Sequence, residues 1–268
     1  MQLVKIPPPG TFCFYDAVFD MLKSHEVDYK DKNTKFLEVG CGEGDLSKIL
    51  LQHGCSGMGV DFSAEAIQLA KNNLNKSIDE GRYTLLNDDI LLPENIKQHE
   101  KSFDLSFSMM VMEHVEDDVN FIENISCLTK NNGFIMLAVP GRMDRWGIED
   151  ETVGHLRRYE RSDLKEVMEK AGLKEVAVWS VAVPTANLLF NIGNYFVRNS
   201  EEVNKLNASI KEQTQSSGIR EIPFKTVFPP WFKIFLNKFT LFPLFVVQRI
   251  FYRSNLGLTM LAIGRVSE

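Results

Sequence analysis

Seven residues between positions 38 and 61 have the types and spacing to do chemistry: Glu38, Gly40, Gly42, Glu43, Gly44, Asp45 and Asp61. The glycines follow the apolar run Phe36–Val39 and precede a helical pattern, so they read as a strand-to-helix hairpin on which backbone approaches a ligand closely. Asp61 closes the next apolar run, Gly57–Asp61, where a carboxylate is placed to accept hydrogen bonds from ribose hydroxyls. A dinucleotide fingerprint, Gly-x-Gly-x-x-Gly, needs a small residue at position 45; the residue there is Asp45, and the third glycine is Gly44. Glu38, Glu43 and Asp45 surround the hairpin with negative charge, poor company for a pyrophosphate. The set suits a nucleoside that carries positive charge.

These residues need a sheet to hold them. Strands and helices alternate along the chain, which predicts a doubly wound α/β fold with a parallel sheet covered on both faces. Strands are expected at Lys35–Val39, Gly57–Asp61, Tyr83–Leu86, Phe103–Ser108, Phe134–Val139, Leu173–Val181 and Leu258–Val266. Helices are expected at Cys13–Ser24, Asp45–His53, from the Ser63 N-cap through Asn75, at Val119–Thr129 and at Ser162–Ala171. The first of them would turn Phe14, Val18, Phe19 and Leu22 to the interior, and Asn132-Gly133 reads as a turn into the fifth strand. No internal repeat is visible.

Composition fits an ordinary enzyme. The chain has 268 residues, 44% of them hydrophobic and 25% charged, enough for one large core plus an embellishment. A net charge of −6 argues against broad attraction to nucleic acid or to an anionic membrane. Cys13, Cys41, Cys55 and Cys127 form no Cys-x-x-Cys pair, and no basic-then-apolar leader opens the chain, so a cytoplasmic protein with reduced thiols is expected. Cys41, between two glycines, is either reactive or simply a small residue tolerated in a tight loop.

A minimal sheet would not need residues 187–253, which are expected to form a helical insertion within a domain made of residues 1–186 and 254–268. Its first part reads as helical and then polar, with Ser216-Ser217-Gly218 as a mobile loop. Further on, Phe228, Phe232, Phe235, Phe239 and Phe242 recur every three or four residues, as one helical stripe interrupted by Pro243. The stripe is expected to pack on the sheet or roof the active site. Lys233, Lys238, Arg249 and Arg253 break any run long enough to span a membrane but leave surface association open.

The run Glu38–Gly44, Asp61, Asn87-Asp88-Asp89 and Ser108–Val115 together resemble the class I S-adenosylmethionine-dependent methyltransferases, over roughly residues 33–142 and more weakly beyond. The resemblance implies a Rossmann-like sheet of seven strands, the last antiparallel and inserted beside the sixth. It also implies roles. Gly40, Gly42 and Gly44 would pass under the methionine and ribose of S-adenosylmethionine, with Glu38 reaching its ammonium directly or through water. Asp61 would take the ribose hydroxyls, and Phe62 would lie against adenine. Asp89 and the Ile90 amide would meet the adenine edge, and Met109 would line the methionine end. The product would be S-adenosylhomocysteine. Structural alternatives remain: Asp61 as a helix cap, Asp88 or Asp89 as turn residues.

Methyl transfer asks the protein for alignment and water exclusion more than for covalent help. The candidate acceptor region is Gly141–Tyr159, emerging from strand five; its Gly154–Tyr159 segment resembles one that lies over the pocket in relatives acting on small molecules. His155 is a candidate base, since imidazole exchanges protons near neutral pH, or else a residue that holds the loop. Tyr159 either donates to the acceptor or closes the pocket. Tyr15 and His114 are further acceptor contacts, with packing as the alternative for His114. Arg157 and Arg158 offer forks for an anionic acceptor, unless Asp144, Glu149, Asp150 and Glu151 consume them in internal salt bridges. Ser108-Met109-Met110 lacks the Asn/Asp-Pro-Pro-aromatic pattern of base methylation and the carboxylates of a magnesium site, and no metal is expected.

The expected function is transfer of a methyl group to oxygen or nitrogen of a small-molecule or carrier-linked metabolite. A lipid or membrane-associated acceptor, a nucleotide-dependent oxidoreductase and a non-catalytic cofactor-binding module stay open as alternatives.

Overall fold

The computed structural model describes residues 3–92, 96–218 and 220–267. Seven strands form its sheet: β1 (Lys35–Val39), β2 (Ser56–Asp61), β3 (Tyr83–Asn87), β4 (Phe103–Met109), β5 (Thr129–Pro140), β6 (Lys174–Val181) and β7 (Thr259–Arg265). They lie in the order β3-β2-β1-β4-β5-β7-β6. β1 pairs in parallel with both neighbours, Leu37 lying opposite Met58 of β2 and Ser106 of β4. Phe36, Leu37 and Val39 are all buried, as expected of a strand covered on two faces. The chain runs outward from β1 to β2 and β3 on one side and returns to β4 on the other. The tip of β1 is therefore a topological switch point, where open α/β sheets bind ligands.

β7 runs antiparallel between β5 and β6: the Asn132 amide donates to the Val266 carbonyl, and the Val266 amide donates to the Gly133 carbonyl. The seven-stranded Rossmann-like reading of the sequence is thus the fold observed.

Local signals explain the helices around the switch point. After β1 comes α2 (Asp45–His53), ended by Gly54 at φ 106°, whose amide donates to the Leu51 carbonyl. After β2 comes α3 (Ala64–Asp79), whose Ser63 cap accepts from the Ala66 amide, a contact worth about 1 kcal/mol. α3 buries Ala66, Ala70 and Leu74 and runs four residues beyond its expected end at Asn75. α4 (Asp118–Leu128) is capped by Asp117, and α6 (Arg161–Lys170) follows later.

Several expectations need correction. α1 spans Pro9–Ser24, and it buries Cys13, Ala17, Val18, Met21 and Leu22, leaving Phe14 and Phe19 only half-buried. Asn132-Gly133 does not separate a helix from a strand. Asn132, at φ 63°, sits inside the twelve-residue β5, where pairing with β4 slips between Phe103 opposite Thr129 and Leu105 opposite Phe134. Ser216 and Ser217 end a helix, α8 (Ile210–Ser217), rather than forming a loop.

The phenylalanine stripe is not one helix. Phe228 belongs to a two-residue strand paired with Val4–Lys5, Phe232 to a single turn (Pro230–Ile234), and Pro243 starts rather than interrupts α9 (Phe242–Phe251). Phe228 is buried, but Phe235, Phe239 and Phe242 are exposed, so the stripe does not pack as a whole.

The chain divides into two compact units, one comprising Met21–Val139, Ser162–Val178 and Leu261–Glu268, the other Met1–Asp20, Pro140–Arg161 and Trp179–Met260. The first carries most of the sheet and the glycine hairpin. The second carries the loop after β5, the helices α5 (Ile148–Val153) and α7 (Thr185–Arg198), and α8 and α9.

Candidate active site

In the sheet unit the hairpin is tied to the neighbouring strand from its first residue. The amides of Gly40 and Cys41 both donate to the Val60 carbonyl, at 2.8 and 3.1 Å. Gly40 sits at φ 71°, and a Cβ there would collide with Val111, so only glycine fits. Gly42, at φ 51°, differs in kind: nothing lies within 4 Å of where its Cβ would be. Its amide donates to Asp61 Oδ2 at 2.9 Å. The turn closes when the Gly44 amide donates to the Cys41 carbonyl and the Lys48 amide to the Gly44 carbonyl.

Asp61 is nearly buried. Its Oδ1 accepts from the Ser63 amide at 2.9 Å while Oδ2 takes Gly42, so each oxygen keeps a lone pair for a further donor. Burial pushes its carboxyl above the ordinary range, partly opposed by the Ser63 and Gly42 amides. Phe62 follows, 38% exposed, with its ring open to a ligand.

Glu38 lies underneath rather than in the open. Its Oε2 accepts from the Ser47 amide at 3.2 Å and from the Ser47 hydroxyl, which in turn meets the Tyr83 hydroxyl at 2.8 Å. Burial pushes Glu38 up to about 8, against the bonds from Ser47. These bonds clamp the first turn of α2 against β1. Cys41 is buried too, and its thiol is pushed well above the usual range by burial and by Glu38 and Asp61, which favours the small-residue reading over a reactive one.

At the tip of β3 the two candidate acids differ. Asp89 Oδ1 accepts from the Leu91 amide at 2.9 Å, an Asx-turn arrangement. Asp88 Oδ1 accepts from the Asp89 amide, but its Oδ2 is buried with no hydrogen-bond partner in the protein. Ile90 is buried, with its carbonyl held by Asn124 Nδ2 at 3.0 Å.

At the tip of β4, Met109 is half-buried and Met110 adopts φ 58° with 40% of its surface exposed. In the sequence Met110 counts only as an apolar residue where a magnesium site would need a carboxylate. Its amide donates to the Ala138 carbonyl at 2.8 Å, and the turn it makes presses Val111 against Gly40. The single 3-10 turn Met112–His114 follows, with Glu113 fully buried and His114 half-buried.

In the other unit, Tyr159 lies beside the end of β5: its amide donates to the Pro140 carbonyl at 2.9 Å, and the Arg142 amide donates to the Tyr159 carbonyl. The hub of this loop is Asp150, fully buried, one of the acids expected to hold the loop's arginines in internal salt bridges. It accepts from the Gly147 amide at 2.8 Å, meets His155 Nδ1 at 2.8 Å, and takes both Nε and Nη2 of Arg158, at 2.8 and 2.9 Å. Burial works to raise the Asp150 carboxyl, yet the bonds from His155 and Arg158 hold it below the ordinary range. Arg158 also donates Nη1 to the Gly141 carbonyl, so its fork is consumed within the loop. Glu149 is held by Lys225 and by Arg220 at 3.1 Å; burial would raise it, but these two cations bring it down to about 2. Arg157 and Tyr15 are half-buried in the same unit.

The sheet unit fits a cationic nucleoside. Open space lies over Gly42, bordered by Asp61, whose two carboxylate oxygens keep capacity for further donors, and the Phe62 ring is exposed next along the chain.

A profile described as a methyltransferase domain matches residues 17–178. Ubiquinone biosynthesis O-methyltransferase of Pelagibacter ubique is 34% identical over 122 residues, covering 44% of this chain and 48% of that protein. The protein of the same name from Coxiella burnetii is 32% identical over 121 residues, covering 45% and 50%. The chain spans about half the length of the curated relatives it matches. Among solved structures, Haemonchus contortus phosphoethanolamine N-methyltransferase 2, in complex with phosphomonomethylethanolamine and S-adenosylhomocysteine, gives a TM-score of 0.53 at 16% identity, covering 88% of this chain and 49% of that one. At that identity the likeness bears on the fold alone.

Proposed function

The chain belongs to the methyltransferase-domain family, and on that premise we propose that it transfers the methyl group of S-adenosylmethionine to an oxygen or nitrogen of a small-molecule or carrier-linked acceptor. The observation that carries the reading is the open space over Gly42, bounded by the Asp61 carboxylate that Gly42 itself orients. S-adenosylmethionine supplies, when bound, a methyl group already activated by its sulfonium.

The residues of this chain then have three tasks. Asp61 and the hairpin amides bind and orient, with Phe62 against the adenine. For the adenine amine we assign Asp88, whose buried oxygen has no other partner, ahead of Asp89, which already holds the Leu91 amide. Glu38 supports from below: tied to Ser47, it fixes the start of α2 and so the shape of the hairpin. Met109 and Met110 supply an apolar wall that keeps water from the methionine end.

On the acceptor side, Asp150 locks His155 by Nδ1. Held in this way, the His155 ring is the group we assign to take a proton from an acceptor hydroxyl. Tyr159 and Tyr15 remain candidate acceptor contacts, as does His114, and Arg157 is the guanidinium we assign to an anionic acceptor. Arg158 positions the loop instead.

The test is methyl transfer from labelled S-adenosylmethionine to a panel of phenolic, amino and carboxylic metabolites. Turnover that disappears in Asp61→Asn supports the reading; donor binding without turnover on any acceptor favours the non-catalytic module instead.

A further inference from the structure

From Ile222 to Ser267 the chain carries six basic residues and no acidic one, although its net charge is −6. The same stretch holds an unusual density of uncovered apolar side chains. Phe239 is 91% exposed, Ile250 78%, Ile234 68% and Trp231 54%. Their exposure follows from the local geometry. α9 turns Phe245 and Gln248 inward, with Gln248 Nε2 donating to the Cys13 carbonyl, so Phe242, Val246 and Ile250 line up on its outer face one turn apart. Before α9, Trp231 and Phe235 continue a run of ring contacts that leads through Phe232 and Phe224 to Phe196 of α7.

The charges at this face are largely uncompensated. Arg249 is taken up by Asp16 and Asp20, at 3.3 and 2.6 Å. Lys233, Lys238 and Arg253 are exposed and make no ion pair among the described residues. An apolar patch rimmed by cations has two candidate occupants, a second copy of the chain or an anionic surface. A two-fold contact would gather the basic residues of both copies into one interface with no acid from this stretch to pair them, a like-charge arrangement that opposes association. An anionic bilayer complements both features, taking the rings into the headgroup boundary and the lysines among the phosphates. No described helix is long and apolar enough to cross a membrane.

We propose that the face built by residues 231–250 docks the protein on the surface of an anionic phospholipid bilayer. This goes beyond the methyl-transfer reading and stands without it, because docking is read with neither donor nor acceptor present.

The experiment is co-flotation of the whole chain with vesicles of phosphatidylcholine alone and of phosphatidylcholine mixed equally with phosphatidylglycerol, alongside the emission of Trp231, with Trp231→Phe as the control. Binding to the anionic vesicles, a blue shift lost in the control, and weakening by added salt are expected. Lys233→Gln and Lys238→Gln should each weaken binding about fivefold. Phe239→Ser should weaken it about tenfold or more with the melting temperature unchanged, since that side chain touches little else. Failure to bind anionic vesicles overturns the proposal. So does equal binding to both vesicle types, or a concentration-dependent dimer that Phe239→Ser dissociates while vesicle binding is absent.

Discussion

The Gly42 amide donates to Asp61 Oδ2 across 2.9 Å, joining the hairpin after β1 to the tip of β2. The acid we assign to the ribose is thereby oriented by the glycine hairpin beside it. With the Gly40 and Cys41 amides on the Val60 carbonyl, this bond ties the hairpin to the second strand at three amides.

Gly42→Ala and Gly40→Ala should separate folding from binding. At Gly42 a Cβ meets no protein atom, so the alanine costs only the left-handed strain of about 1–2 kcal/mol but enters the donor's space. Its fold should persist while S-adenosylhomocysteine binding is lost. At Gly40 the Cβ strikes Val111, and the melting temperature itself should fall. Circular dichroism melts paired with calorimetry check both; Gly42→Ala binding as well as wild type would remove the cradle from this place.

Glu38 gives a pH signature. Its folded value, about 8, lies above its ordinary 4.5, so between those values the native state holds a proton that the unfolded chain has released. Stability from this group is therefore present at low pH and lost as pH rises from about 4.5 to about 8. Glu38→Gln keeps a neutral acceptor for Ser47 and should flatten that decline. Urea melts across the window, for both proteins, measure it; parallel slopes would contradict the assignment.

The adenine edge can be decided by substitution. Asp88→Asn should weaken S-adenosylhomocysteine by about tenfold or more, the worth of one hydrogen bond to a charged group. Asp89→Asn should leave affinity nearly unchanged and act instead on the Asx turn at Leu91. The reverse ranking in calorimetry returns the role to Asp89.

Asp150 should behave as a structural hub with a catalytic consequence. Removing one side of the buried Asp150–Arg158 pair, as in Asp150→Asn, should cost about 3–5 kcal/mol in denaturant melts. The folded carboxyl is held below its ordinary value, so its contribution exists above the unfolded pKa and is lost as pH falls through the lowered one. His155→Gln should leave most of that stability and lower kcat about a hundredfold, as loss of a general base does. Equal effects of His155→Gln on melting and kcat would make His155 a loop residue only.

Much of the sheet was legible because its signals are local. β1 and α2 fall at their expected bounds since an apolar run and bracketing glycines mark them without help from the rest of the chain. The start of α1 at Pro9 carries a local signal too, proline at the first helical position. Other features depend on partners far away in sequence. Asn132 reads as a turn until β4 and β7 supply its neighbours. The phenylalanine period was counted across segments that are not one helix, so three of its rings face outward. Asp150 is one acid among several in its loop, and only the folded contacts with Gly147, His155 and Arg158 set it apart. Met110 gave no signal, because a left-handed methionine is dictated by the packing of Val111 on Gly40.

The most direct test is calorimetric titration of the protein and of Asp61→Asn with S-adenosylhomocysteine, with NADH as the comparison. One equivalent should bind the wild type, NADH should give no heat, and Asp61→Asn should bind about a hundredfold more weakly or worse, since two charge-assisted hydrogen bonds are lost. Tighter binding of NADH, or undiminished binding by Asp61→Asn, would contradict the account.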